Sequence, residues 1–205
     1  MLVRIILLCG SVLLVTVHAQ TPLEACLRDF ATVLQPEHSF STDFRMKKHL
    51  PGLNTPLPAQ GRAVFAPEQG LIWETTFPLQ DVRVFGKERF AASSDTGEMI
   101  VREIQSTGRI AELMMQPREA LLKTLEQTFF VTCSKKQGTY SVILSPKPGT
   151  LATFLTEVAL QSSENRLQQV TITQTDGTVA RITFENTTVP ADLSETDKEL
   201  FSLVR

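Results

Sequence analysis

The chain has 205 residues, with 20 lysines and arginines against 22 aspartates and glutamates, a net charge of −2 at neutral pH. That near-balance excludes the basic surface that DNA or RNA binding requires. The longest apolar run, near the N-terminus, is shorter than the about 20 residues that span a bilayer, so it reads as a targeting segment, with a short membrane anchor as the alternative.

Residues 1–19 read as an export signal. Arg4 supplies the positive charge, Ile5 to Val17 form the apolar run, and Val17-His18-Ala19 offers small residues at the minus-three and minus-one positions, which places cleavage before Gln20. Loss of Arg4 leaves 19 basic and 22 acidic residues, a net charge of −3, in a single domain over 20–205. Two of the three cysteines, Cys26 and Cys133, remain after cleavage. In an oxidising compartment such a pair forms one disulfide; two buried free thiols are the alternative.

Leu23, Leu27, Phe30 and Leu34 recur at helical spacing, and Pro36 lies just past the end. The period then changes to two. Phe40, Phe44 and Met46 alternate with Ser41, Asp43, Arg45 and Lys47, the clearest strand signal in the chain. The stretch from Pro51 to Pro58 holds three prolines and Gly52 and reads as a loop. Strands are predicted over 61–65, 71–77, 82–85, 89–92 and 99–105, with Ser94-Asp95-Thr96-Gly97 as a hairpin turn. In the third strand Leu71, Trp73 and Thr75 share one face, and Ile72, Glu74 and Thr76 the other. Glu74 assigns the second face to solvent, which turns Trp73 inward.

A helical period returns in the middle. Ile110, Leu113 and Met114 share a face, Pro117 suits a first helical turn, and Leu121, Leu122, Leu125 and Phe129 follow at helical spacing. Strands resume over 139–145, 156–161, 167–174 and 179–185, the last two joined at Asp176-Gly177. Ser194 and Asp197 resemble the start of a short terminal helix over 195–203. This order predicts an α+β fold: an antiparallel sheet with one packed face and helices inserted in its middle to cover that face.

Reactive groups do not converge. His38 and His49 have no metal-ligand spacing, and the sequence holds no G-x-S-x-G, Walker or dinucleotide-binding motif. Asp95-Thr96-Gly97 imitates one aspartic-protease triplet, but a second carboxylate is missing and the triplet is better read as a turn. The chain therefore reads as a non-enzyme with no metal and no cofactor.

The ordered set of motifs resembles the LolA family, periplasmic carriers of outer-membrane lipoproteins, and in particular a divergent branch of it. Gly61 to Pro78 carries most of the likeness, with a short apolar strand, Pro67, a turn, Leu71, Trp73 and Pro78. Phe44-Arg45-Met46-Lys47, Leu144-Ser145-Pro146-Lys147 and the Asp176-Gly177 hairpin before Ile182 to Asn186 add to it. The resemblance implies an incomplete antiparallel β-barrel, a strongly curved sheet with an N-terminal helix and a central helical lid over its concave face. It implies a hollow that shelters acyl chains during transfer towards the outer membrane. The lining it points to is Phe44, Met46, Phe65, Leu71, Trp73, Phe77, Met99, Leu113, Met114, Leu121, Leu122, Leu125, Val142 and Leu144. An inner-membrane release complex or exporter, an outer-membrane acceptor and a monomeric state follow from the same resemblance. Ala66 departs from the family, where arginine usually precedes the proline and helps hold the lid shut. That departure leans towards a specialised carrier of a glycolipid or acylated polyene working with an exporter. A non-transporting envelope interaction module is the third reading.

Overall fold

The computed structural model describes residues 22–35, 37–103, 116–164 and 166–205. The signal segment and the stretch holding Ile110, Leu113 and Met114 therefore lie outside the described residues. Eleven strands form one antiparallel sheet: β1 Phe40–His49, β2 Leu57–Ala66, β3 Gly70–Phe77, β4 Asp81–Phe85, β5 Arg89–Ser93, β6 Met99–Glu103, β7 Phe129–Lys136, β8 Thr139–Pro146, β9 Leu155–Ser163, β10 Arg166–Gln174 and β11 Val179–Thr188. Among the described residues three α-helices accompany them: α1 Pro22–Leu34, α2 Arg118–Thr128 and α3 Glu195–Ser202. The strand order is β6-β5-β4-β3-β2-β1-β11-β10-β9-β8-β7. It is a meander in two halves, joined where β1 pairs with β11. The sheet is open, with β6 and β7 as its edges.

Residues directly opposite one another in antiparallel strands share a face. Val142 faces Leu160, Leu160 faces Val170, Val170 faces Ile182, Ile182 faces Met46, and Met46 faces Ala59. This apolar face runs from β8 to β2 and on to Trp73 of β3, which lies opposite Ala63; beyond it, Arg83 of β4 lies opposite Trp73. Over β7–β10 this first face is covered by α1 and α2, where Leu27, Phe30, Leu121, Leu125, Val142, Leu144 and Leu160 pack as one buried cluster. Cys26 of α1 is bonded to Cys133 of β7, with Cα atoms 6.0 Å apart and a sequence separation of 107. The disulfide ties the helix to the edge strand it covers.

The second face is not simply solvated. The Ser194 hydroxyl accepts a hydrogen bond from the Asp197 amide, and the Asp197 carboxylate accepts one from the Ser194 amide. This reciprocal cap starts α3. Phe201 and Val204 then press onto Val64, Ala66, Ile72, Val84 and Ala91. A partly buried ion cluster holds the helix in place. The Arg62 guanidinium donates to Glu74 and to Asp197, each at 3.0 Å. Burial works against both charges there. For Asp197, hydrogen bonds from Ser194 and the charge of Arg62 outweigh it and lower the pKa. For Arg62, the two carboxylates outweigh it and raise the pKa. Glu74 thus lies beneath a helix rather than in open solvent, which corrects the reasoning that turned Trp73 inward while leaving its face unchanged.

Other departures are local. β2 begins at Leu57, inside the proline-rich stretch, and Pro58 sits opposite Lys47. The helical stripe after Pro117 ends at Thr128; Phe129 opens β7, a strand the sequence pattern does not announce. Leu23 is largely exposed, while Ala31 and Val33 are buried with Leu27 and Phe30. Asn186, Thr187 and Thr188 extend β11 beyond the predicted 179–185.

Candidate functional site

The first face changes character at the junction of the halves. Towards β7 it is filled by two helices; towards β6 it is lined by aromatic rings. Phe44 of β1 stacks on Trp73 of β3, with ring centroids 4.0 Å apart and planes 24° apart. Phe184 of β11 meets the same indole edge-on at 6.4 Å. Phe40 stacks on Phe65 at 5.5 Å, and Phe85 packs against Phe90 at 5.1 Å.

A ring on β1 reaches one on β3 only by crossing β2. Gly61 makes the crossing. It lies opposite Phe44 on one side and Thr75 on the other. A Cβ there would come within 1.9 Å of the Glu74 carbonyl oxygen and 2.9 Å of the Phe44 ring. Glycine inside a strand commonly marks such a close approach. Phe44 is 1 % exposed, whereas Trp73, Phe184, Met46 and Leu71 are only half-buried. The aromatic strip is thus a fixed floor with a partly open upper surface. Offset and edge-to-face rings of this kind contribute about 0.5–1.5 kcal/mol per pair beyond their buried area.

The predicted lining falls into separate places. Phe44, Met46, Phe65, Leu71 and Trp73 share the aromatic half of the first face. Leu121, Leu125, Val142 and Leu144 are buried in the α1–α2 cluster on the other half, with Leu122 half-buried against it. Met99 does not join either group: it packs against the α3 cluster on the second face. The physical reason is parity, since the register that pairs Ser93 with Met99 and Ala91 with Val101 puts all four on the α3 side. Phe77 ends β3 beside a cis proline and is largely exposed, beyond a register shift at Gln60 and Gly61. Leu113 and Met114 lie outside the described residues. Phe184 and Phe40 complete the strip without having been assigned to the lining. The alternation around them was readable, but their adjacency to Trp73 and Phe65 depends on β1 pairing with β11 and β2.

A second depression, of about 280 Å³, has walls that include Asp43, Arg45, Arg62, Glu185 and Asn186. Its charged and amide groups already pair with one another, Arg45 with Glu185 and Asn186 with Asp43. Those walls suit water rather than an acyl chain. Among the described residues no cluster of three or more histidine, cysteine, aspartate or glutamate side chains is arranged to hold a metal ion. No described helix is long and apolar enough to cross a membrane.

No protein-family model matches the sequence, and no curated protein matches it. Solved structures share its architecture. A LolA superfamily protein from Nitrosomonas europaea superposes with a TM-score of 0.50 at 9 % identity, over 86 % of this chain and 97 % of that one. The fold is LolA-like. A DUF1329 family protein from Desulfovibrio piger gives a TM-score of 0.45 at 9 % identity, over 86 % of this chain and 97 % of that one. The MucA/MucB complex of Pseudomonas aeruginosa gives 0.49 at 12 % identity, over 86 % of this chain and 59 % of the matched chain. At such identities the likeness concerns the backbone. Within the LolA-like fold, the open sheet and its apolar first face are the features that bear on function.

Proposed function

We propose that this chain is a periplasmic carrier that shelters the acyl chains of a lipoprotein or another lipid against the aromatic half of its first face. The observation that carries the reading is the half-buried Trp73, held between Phe44 and Phe184 on an apolar face of a LolA-like open sheet. An exposed methylene costs about 0.8 kcal/mol in water, so a lipid with several chains crosses an aqueous gap only inside such a shelter. Catalysis has no part in the reading. The rings on which the reading rests, Phe44, Trp73 and Phe184, supply apolar surface and π-edges. Signal removal before Gln20 and release of residues 20–205 as one domain belong to the same proposal.

Cargo is read from Ala66. The family places arginine there; here a small residue is buried beneath α3 against Phe201 and Val204. The position faces α3, on the side of the sheet away from the first face, and carries no charge. This favours a specialised carrier for a glycolipid or acylated polyene, working with an exporter, over the standard lipoprotein hand-over. A docking partner at the inner membrane and an acceptor at the outer membrane remain part of either version.

Titration of the folded protein with a long-chain lipid below its aggregation threshold tests the site, because Trp73 is the only tryptophan. Its emission is expected to shift saturably. Trp73→Glu is expected to weaken binding at least about tenfold while the sheet stays folded, since a half-buried site leaves the carboxylate access to water. Unchanged emission under demonstrated binding, or unfolding of Trp73→Glu, would show that the indole is a core pillar.

A further inference from the structure

Ten large apolar side chains stand exposed among the described residues, and six of them crowd at one end of the sheet. The strand register locates them. The ends of β1, β3, β8 and β10 and the starts of β2, β4, β7, β9 and β11 all lie at that end. Leu53 precedes β2 and Leu57 opens it. Phe77 ends β3 and Leu79 lies in the turn to β4, Phe154 precedes β9, and Phe130 is the second residue of β7. Leu79 is 78 % exposed. Single exposed apolar residues are ordinary; six on one rim are not.

The rim is continuous at its centre. The Thr175 amide donates to the Phe154 carbonyl at 3.2 Å, and the Thr175 hydroxyl donates to the Thr153 carbonyl at 3.0 Å. Gly177 in the β10–β11 turn lies against Pro51, whose ring carbon would be 3.3 Å from an added Cβ. Loops β8–β9, β10–β11 and β1–β2 therefore touch in series.

We propose that this rim docks on the surface of a lipid bilayer, its apolar tips entering the headgroup and upper acyl region. Three observations favour a bilayer over a protein or a second copy. The side chains come from four separate segments spaced over about seven strand intervals, roughly 34 Å at 4.8 Å per strand. A protein partner needs a compact, desolvated centre, whereas a bilayer accepts side chains singly along a line. Cations flank the apolar tips: Lys47 and Lys48 lead into the β1–β2 loop, and the Lys147 ammonium lies 5.5 Å from the Phe130 ring centre. Long amphipathic cations beside apolar side chains suit phosphate headgroups. Two loop amides also have backbone partners: Leu53 donates to Leu50, and Gly177 to Gln174, each at 3.1 Å. Immersion therefore strands neither of those two donors.

The docking does not depend on the carrier reading, and the test separates the two. The full mature chain is floated with vesicles of phosphatidylethanolamine containing a minority of phosphatidylglycerol. The wild-type chain is expected to float with them. Leu53→Ser/Leu79→Ser is expected to lower the bound fraction about tenfold, with an unchanged circular dichroism spectrum, while Val189→Ser at the opposite end floats as wild type. All these positions are exposed, so folding is retained. Failure of the wild-type chain to float, equal flotation of the rim variant, or a self-associated species that the rim variant dissolves would each overturn the docking. Trp73 emission in the same samples reads the sheet face, so a protein that floats without taking up lipid overturns only the carrier reading.

Discussion

Gly61 and Phe44 illustrate how far a single residue reaches in this fold. The glycine has no packing surface of its own, yet it is the reason that rings on β1 and β3 can stack. Gly61→Ala is expected to destabilise the protein by about 2–3 kcal/mol, because the added methyl meets backbone rather than the movable end of a side chain. Thermal melts should show the loss, and Trp73 emission should move in the lipid-free variant as Phe44 is pushed away. A melt within a degree or so of wild type would contradict the proposed crossing of β2. In the sequence Gly61 is visible only as a strand-opening residue. Its role depends on which residue lies opposite, and register is a tertiary property. The same limit explains Met99, whose flexible thioether suits a pocket but whose strand parity delivers it to α3. Trp73 was legible because an eight-residue strand with strict alternation leaves only two faces to choose from.

The elements themselves were largely readable where periodicity is long. α1, β1, the β3–β6 meander, the β8–β11 strands and the Ser194 cap all follow their signals. β7 was hidden because Phe129 continues the helical spacing of Leu121, Leu122 and Leu125. The proline-rich entry to β2 was hidden because Pro58 reads as a breaker. What no local pattern shows is that α3 covers the second face, since burial of Phe201 depends on Val64, Ile72 and Val84 arriving from three strands. The lid belongs to this scale as well. α2 packs on α1 through Leu121 and Leu125 and runs directly into β7, to which α1 is also bonded, and the proposed lid movement falls to α2. Amide hydrogen exchange over 118–128 is expected to slow by several-fold when lipid is added, with α1 unchanged. Equal exchange with and without lipid would mark α2 as fixed core.

For the whole molecule, the open sheet and its two cores divide the labour. One half of the first face is closed by α1 and α2 and stiffened by the Cys26–Cys133 bond; α3 stiffens the other half from behind. That leaves an aromatic strip supported from both sides and partly uncovered in front, the condition for taking up a chain without first breaking a core. The α+β plan and the apolar inner face could be argued from pattern, and the family resemblance supplied the open barrel. The division of that face into a filled half and an aromatic half required the structure. The most direct test of acyl-chain carriage is native mass spectrometry of the protein recovered under mild conditions from cells that express the full chain. The account predicts a population carrying labile adducts of acylated mass that Trp73→Glu reduces, whereas a lipid-free wild-type protein that also fails to acquire lipid from added donor vesicles would contradict it.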